Sequence, residues 1–160
     1  MKIDASHIKL IILDVDGTLT NGGIYITESG EQFKKFNAKD GLGVKRAIQN
    51  GTQVGIISHS LSSGMILKRA KMMGIERCYA GDGSKLTVLN TWCAELGLAL
   101  NEVAFVGDDL NDLEIIAAVG LAACPANASA GVVRACDVVL QRNGGDGCVR
   151  EFLDEYFPFG

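Results

Sequence analysis

Residues 8–13 form a short, isoleucine-rich apolar run that stops abruptly at Asp14-Val15-Asp16-Gly17. A strand with one wet face alternates apolar and polar residues. A run this short that is apolar at every position but Lys9 reads instead as a strand buried on both faces, as in a parallel sheet. Similar runs recur at residues 54–57 (VGII), 103–106 (VAFV), 120–123 and 138–140, with a weaker strand near 77–79. Helical spacing fills the intervals at residues 42–48, 66–73, 86–96, 113–119 and 128–135. Parallel neighbours need a crossover between them, so this alternation predicts an α/β domain: a doubly wound, Rossmann-like, mostly parallel sheet flanked by helices. Such folds bind ligands beyond the carboxyl ends of their strands. A length of 160 residues fits a single domain over residues 1–160, and 48% apolar content suffices for a core.

One segment departs from that rhythm. Residues 22–36 (GGIYITESGEQFKKF) read as two short strands around a Glu28-Ser29-Gly30-Glu31 turn, a β-hairpin inserted after the first strand. There it would stand over the carboxyl end of the sheet, as a flap or a contact surface. Net charge is −4, which argues against a nucleic-acid partner. It leaves room for a small anionic substrate, because local donors and a metal bind phosphate on an acidic protein. The five cysteines are scattered without a CxxC pair, as expected of reduced thiols serving as small hydrophobes. The N-terminal apolar run is too short to span a membrane and ends in carboxylates, unlike a signal peptide. The reading is a soluble, cytoplasmic protein.

Four features fall at predicted strand ends. Asp14 and Asp16 leave a buried strand two residues apart, which is costly unless a cation or phosphate chemistry uses them. Asp14 is placed as metal ligand and nucleophile. Asp16 is placed to protonate a leaving alkoxide and then activate water. Gly17 permits a turn that aims amides at a phosphate. A hard cation such as Mg2+ would suit these oxygen donors. The same DG sequence also caps and turns ordinary chains. Ser58 follows the second strand, where a hydroxyl can hold a phosphoryl oxygen, although residues 58–63 (SHSLSS) also read as helix-capping sequence. His59 beside it invites an acid–base role and equally fits an exposed loop. Lys85 opens a predicted helix, an unfavourable place for a cation unless it neutralises phosphate and carboxylate charge. Finally, Gly107-Asp108-Asp109-Leu110-Asn111-Asp112 crowds three carboxylates after a strand. Asp108 is the best second metal ligand, and Asp109 or Asp112 would hold a metal-bound water or orient Lys85. Each piece has a bland explanation; the four together, in this order, do not share one.

The ordered set DVDGT, Ser58, Lys85 and GDDLND resembles the haloacid dehalogenase superfamily of phosphotransferases. The resemblance implies an aspartyl-phosphate on Asp14, acid–base work by Asp16, and phosphate binding by Ser58 and Lys85. It implies Mg2+ held by Asp14, the Asp16 backbone carbonyl and Asp108. Over nearly the whole chain, DVDGTLTNGGIYI, KKFNAKDGLGVK, GDDLND and GGDGCVREF are similar to small cap-less phosphatases of the 3-deoxy-D-manno-octulosonate 8-phosphate phosphatase type. That type implies hydrolysis of a keto-sugar-acid phosphate in lipopolysaccharide biosynthesis, by a homotetramer whose hairpins meet across subunits. It also implies that Asn37, Asp40 and Gly41 lie near the site, and that residues 144–147 and Arg150 reach a neighbour's site. His59 and Ser60 stand where the type usually carries a glycine and then a substrate-facing arginine or glutamate. A nonulosonate 9-phosphate is therefore the alternative substrate.

Two non-enzymatic readings share some of these residues. A phospho-accepting receiver domain would carry its acceptor aspartate after the third strand, whereas the strand near residues 77–79 runs into Ala80-Gly81. An inactive regulatory homologue would not be expected to keep Asp14, Asp16, Lys85 and Asp108 together.

Overall fold

The computed structural model describes residues 3–158. β1 (Leu10–Leu13), β4 (Gln53–Ser58), β5 (Arg77–Ala80), β6 (Val103–Val106), β7 (Leu121–Cys124) and β8 (Val138–Val139) form, among the described residues, a six-stranded parallel sheet in the order β5-β4-β1-β6-β7-β8. The apolar run that opened the sequence is therefore central, and all four β1 side chains have no exposed surface. Because side chains alternate across a strand, β1 feeds two cores. Ile11 and Leu13 join one with Val44, Ile66 and Phe152; Leu10 and Ile12 join the other with Leu89, Ile115 and Val132. Each such buried side chain stabilises the fold by about 1.5–3 kcal/mol.

Helices α1 (Ala38–Gln49), α2 (Ser63–Met72) and α6 (Cys148–Tyr156) supply the first core; α3 (Lys85–Leu96), α4 (Leu113–Ala118) and α5 (Ala130–Ala135) supply the second. Helix on both faces of a parallel sheet is the doubly wound arrangement expected. Helix α6 was not anticipated. It opens at Gly147, whose lack of a side chain leaves the first turn uncapped locally. The cap comes from elsewhere: Asp40 on α1 accepts the Arg150 backbone N–H at 2.8 Å. Its apolar face buries Val149, Phe152 and Leu153 against the first core.

The inserted hairpin forms as β2 (Tyr25–Ile26) and β3 (Gln32–Phe33), antiparallel, with Tyr25 opposite Phe33 and their rings stacked at 4.8 Å. Gly30, at φ +87°, closes the turn with its N–H on the Thr27 carbonyl at 2.9 Å. No helix among the described residues is long and apolar enough to cross a membrane.

Candidate active site

In the strand order, β1 lies between β4 and β6, and the sheet is built outward from it in opposite directions, first through β4 and β5 and then through β6, β7 and β8. A crevice opens at the carboxyl ends there; Ser58 ends β4, and Asp14 and Asp108 lie just beyond β1 and β6. Asp14 continues β1, its N–H bonded to the Val106 carbonyl at 3.0 Å. Its side chain accepts a hydrogen bond from Lys85 Nζ at 2.8 Å. Lys85 also donates to Asp112 Oδ1 at 2.6 Å. The other oxygen of Asp112 accepts the backbone N–H groups of Asp108 at 3.0 Å and Asp109 at 3.2 Å. Lys85 is 3% exposed, Asp14 5% and Asp112 not at all. Thus Asp112, rather than Asp109, is the residue that orients Lys85, while Asp109 spends an oxygen on the Leu110 N–H.

The electrostatics of this group are unbalanced. Burial pushes the Asp14 carboxyl well above the usual carboxylate range, and the nearby charge of Asp112 adds to it against the pull of Lys85. Burial also raises Asp108, with Asp112 and Asp109 adding repulsion. For Lys85, burial opposes its charge, but Asp14 and Asp112 outweigh that and hold its pKa above the ordinary value. One ammonium faces three carboxylates, and oxygens of Asp14, Asp108 and Asp112 lie within 4.8 Å of one another.

These residues fit a hard divalent cation. Both oxygens of Asp112 are already engaged, whereas Asp14 and Asp108 each give one oxygen to Lys85 and Thr18 respectively, which leaves those two as the carboxylates that would hold the ion. Gly17 makes room for this. It sits at φ +85°, and a Cβ there would lie 1.9 Å from Asp108 Oδ2. Its N–H donates to Thr20 Oγ1 at 3.3 Å, and its missing side chain gives clearance to Asp108. Thr18, fully buried, donates to Asp108 Oδ1 at 3.3 Å.

Above this group lies a cavity of about 200 Å³ lined by Asp14, Asp16, Ser58, His59, Ser60, Asp109 and Asn111. Ser58 Oγ accepts the Ser60 N–H at 3.1 Å. A larger surface hollow of about 700 Å³ between α1 and α6 is lined by Lys39, Leu42, Arg142 and Arg150 among others. Arg150 there pairs with Asp154 at 2.8 Å, and the lining of this hollow includes none of Asp14, Lys85 and Asp112, so the smaller cavity, which opens on Asp14, is the candidate site.

The structure separates the remaining expected residues from the cavity wall. Asn37 caps α1 through the Lys39 N–H at 2.8 Å and reaches the Asp14 turn only through Gly145, whose N–H meets the Thr18 carbonyl. Asp40 caps α6, as described above. Gly41 gives space to Arg69, whose Nη2 would lie 2.5 Å from a Cβ there. Arg150 turns to Asp154, and within this protomer it lies away from Asp14. The glycine loop before α6 packs on its own protomer's Asp14 turn, where a Cβ on Gly144 would meet the Gly17 carbonyl at 1.7 Å.

Sequence reasoning missed Lys34. This hairpin residue has a side chain only 4% exposed and donates to Asp16 Oδ1 at 2.6 Å. Lys34 reads in sequence as one of two adjacent solvated lysines, and nothing local distinguishes it from Lys35.

Comparison with known proteins agrees with this geometry. A family model of haloacid dehalogenase-like hydrolases matches residues 59–152. The 3-deoxy-D-manno-octulosonate 8-phosphate phosphatase KdsC of Escherichia coli K12 is 37% identical over 94% of this chain and 79% of its own length. The Moraxella catarrhalis 3-deoxy-D-manno-octulosonate 8-phosphate phosphatase, solved with magnesium, phosphate and KDO, superposes with a TM-score of 0.90 at 37% identity, covering 94% of this chain and 86% of that one. The Yersinia pestis enzyme of the same name superposes at 0.92 with 35% identity, over 96% of this chain and 82% of that one. On a shared fold, and at this identity over most of its length, the chain belongs to the haloacid dehalogenase-like hydrolase family, among phosphatases of the 3-deoxy-D-manno-octulosonate 8-phosphate type.

Proposed function

We propose that this protein is a Mg2+-dependent phosphomonoesterase that acts through an aspartyl-phosphate on a keto-sugar-acid phosphate, 3-deoxy-D-manno-octulosonate 8-phosphate before others. The observation that carries this reading is Lys85, buried between Asp14 and Asp112 under a cavity that opens on Asp14. Phosphoryl transfer asks a protein mainly for positioning and charge neutralisation, and this group offers both.

Asp14 attacks phosphorus and forms a carboxyl–phosphate bond as the ester oxygen leaves. Ser58 Oγ and Lys85 hold phosphoryl oxygens during that transfer. Asp16 gives its proton to the leaving alkoxide, then takes one from the water that attacks the phospho-aspartate, which returns Asp14 and releases phosphate. Lys34 anchors the Asp16 side chain at the base of the hairpin. Mg2+, held by Asp14, Asp108 and the Asp16 backbone carbonyl, supplies charge neutralisation when bound.

The same reading includes a cytoplasmic homotetramer with sites at subunit interfaces. What supports it is the hairpin, where Ile24 is 62% exposed, Ile26 64% and Phe33 53%. Apolar side chains exposed on both faces of a two-stranded ribbon, Ile24 and Ile26 on one and the Tyr25–Phe33 stack on the other, are what a second copy would cover. His59 and Ser60 in the cavity wall favour keeping a second substrate, a nonulosonate 9-phosphate, in view.

The test is phosphate release by the purified protein with Mg2+ across octulosonate 8-phosphate, nonulosonate 9-phosphates and hexose phosphates. The expected result is a strong preference for octulosonate 8-phosphate, lost on chelation. Preference for a nonulosonate ester selects the second substrate, and no release from any ester overturns the phosphatase reading.

A further inference from the structure

One imidazole joins the three loops that carry this site. His59 follows Ser58 at the end of β4. Its Nε2 lies 2.8 Å from the Gly83 carbonyl, in the loop between β5 and Lys85. Its Nδ1 lies 3.1 Å from Asn111 Nδ2, in the loop after β6 and next to Asp112. A carbonyl only accepts, so the proton sits on Nε2; Nδ1 then keeps its lone pair for the Asn111 amide. Both ring nitrogens are thus engaged by one neutral tautomer.

The surroundings make this bridge consequential. Ser58 and Lys85 must hold the same phosphoryl group from loops after different strands, and Asp112 must hold Lys85 from a third. Gly83 is tied on its far side by its N–H to the Tyr79 hydroxyl at 2.9 Å, so a pull at its carbonyl acts on a loop already anchored. His59 and Asn111 also line the cavity above Asp14, with Asp14, Asp16, Ser58, Ser60 and Asp109, and no lysine or arginine among the described residues lines it.

We propose that His59 is a positioning residue that clamps the loops after β4, β5 and β6 through its Nε2–H tautomer, setting the spacing of Ser58, Lys85 and Asp112 around the transferring phosphoryl group. The proposal rests on the phosphatase reading of this site. The clamp acts on the phosphoryl group and not on the rest of the ester, so its loss is felt by every substrate alike.

Four variants test it: His59→Ala, His59→Asn, His59→Gln and Asn111→Ala. Asparagine places an acceptor near the Nδ1 position and keeps the link to Asn111; glutamine places a donor near the Nε2 position and keeps the link to Gly83. Steady-state kinetics with p-nitrophenyl phosphate and with the preferred sugar-acid phosphate are expected to show kcat down by about 10-fold or more in His59→Ala on both esters, with KM little changed. Asparagine and glutamine each restore part of kcat, and Asn111→Ala lowers kcat on the His59→Asn background but adds little on the His59→Gln background, where the Asn111 link is already gone. A rise in KM on the sugar ester alone would make His59 a substrate contact and overturn the clamp. A lower Tm with unchanged kcat would make the bridge merely structural and overturn it as well. Nitrogen-15 NMR of the imidazole in the wild-type protein reads the clamp without turnover: a proton on Nε2 is expected, and a proton on Nδ1 refutes it. Wild-type protein inactive on both esters would sink the phosphatase reading, while the NMR signature would still decide the clamp.

Discussion

The carboxyl edge of the sheet and the hairpin that overhangs it break the same rule in opposite senses. At the edge, three carboxylate-or-ammonium side chains, Asp14, Lys85 and Asp112, are buried at 5%, 3% and 0% exposure. On the hairpin, Ile24, Ile26 and Phe33 are more than half exposed. Buried charge is retained only where something pairs with it, and an exposed apolar ribbon persists only where something covers it. A cation and a phosphate answer the imbalance of the first region; another copy of the chain is the occupant proposed above for the second. The Lys34–Asp16 pair joins the two regions, so anything that moves the hairpin acts on an acid–base candidate.

The largest effect is expected from Asp14→Asn. Removing the nucleophile but keeping its shape should lower turnover by about 10³-fold or more with the fold intact by circular dichroism. Activity within tenfold of wild type would mean that the buried edge is structural and the contrast empty. Lys85→Met comes next. It leaves Asp14 and Asp112 facing each other without a cation, a loss of about 3–5 kcal/mol in urea unfolding. An unchanged unfolding midpoint would show that the edge does not depend on its ammonium.

Asp40 sharpens the comparison, because it is a buried carboxylate with a capping task instead of a catalytic one. Burial raises its pKa to about 6, against the pull of the Arg150 backbone N–H and of Arg69. Between about pH 4 and pH 6 the folded chain keeps a proton that the unfolded chain has lost. Stability from this group is thus present at low pH and declines as pH rises through that window, by on the order of 2 kcal/mol. Asp40→Asn should lack that decline, so the variant gains on wild type from pH 4 to pH 7. Parallel pH profiles of unfolding for the two proteins would refute it. The smallest effect on folding belongs to the hairpin. Replacing Ile24 and Phe33 together by serine should alter protomer stability by only about 0.5 kcal/mol. Sedimentation should nonetheless report a smaller particle; an unchanged mass would place the assembly surface elsewhere.

Local pattern made much of this legible. The short apolar runs announced buried parallel strands because a side chain on either face of such a strand meets a helix. The crowded aspartates after β1 and β6, and a lysine at a helix start, announced a cation and a phosphate because each placement is unfavourable without them. The hairpin showed itself by its turn and by the break in rhythm. In each case the physical cost lies within a few residues of sequence.

What stayed hidden depends on pairings that cross the fold. Lys34 reaches Asp16 across 18 residues, and Asp40 caps a helix 110 residues away. Helix α6 carries no local start signal, because its cap lies on α1 and not beside it. Asn111, which looks like one more polar loop residue, meets His59 only because β4 and β6 both flank β1. The chain's own periodicity and charge settled its class, its layers and the identity of its reactive groups. Tertiary structure decided which of those groups touch, because hydrogen bonds and ion pairs act over a few ångströms of space and are indifferent to distance along the chain.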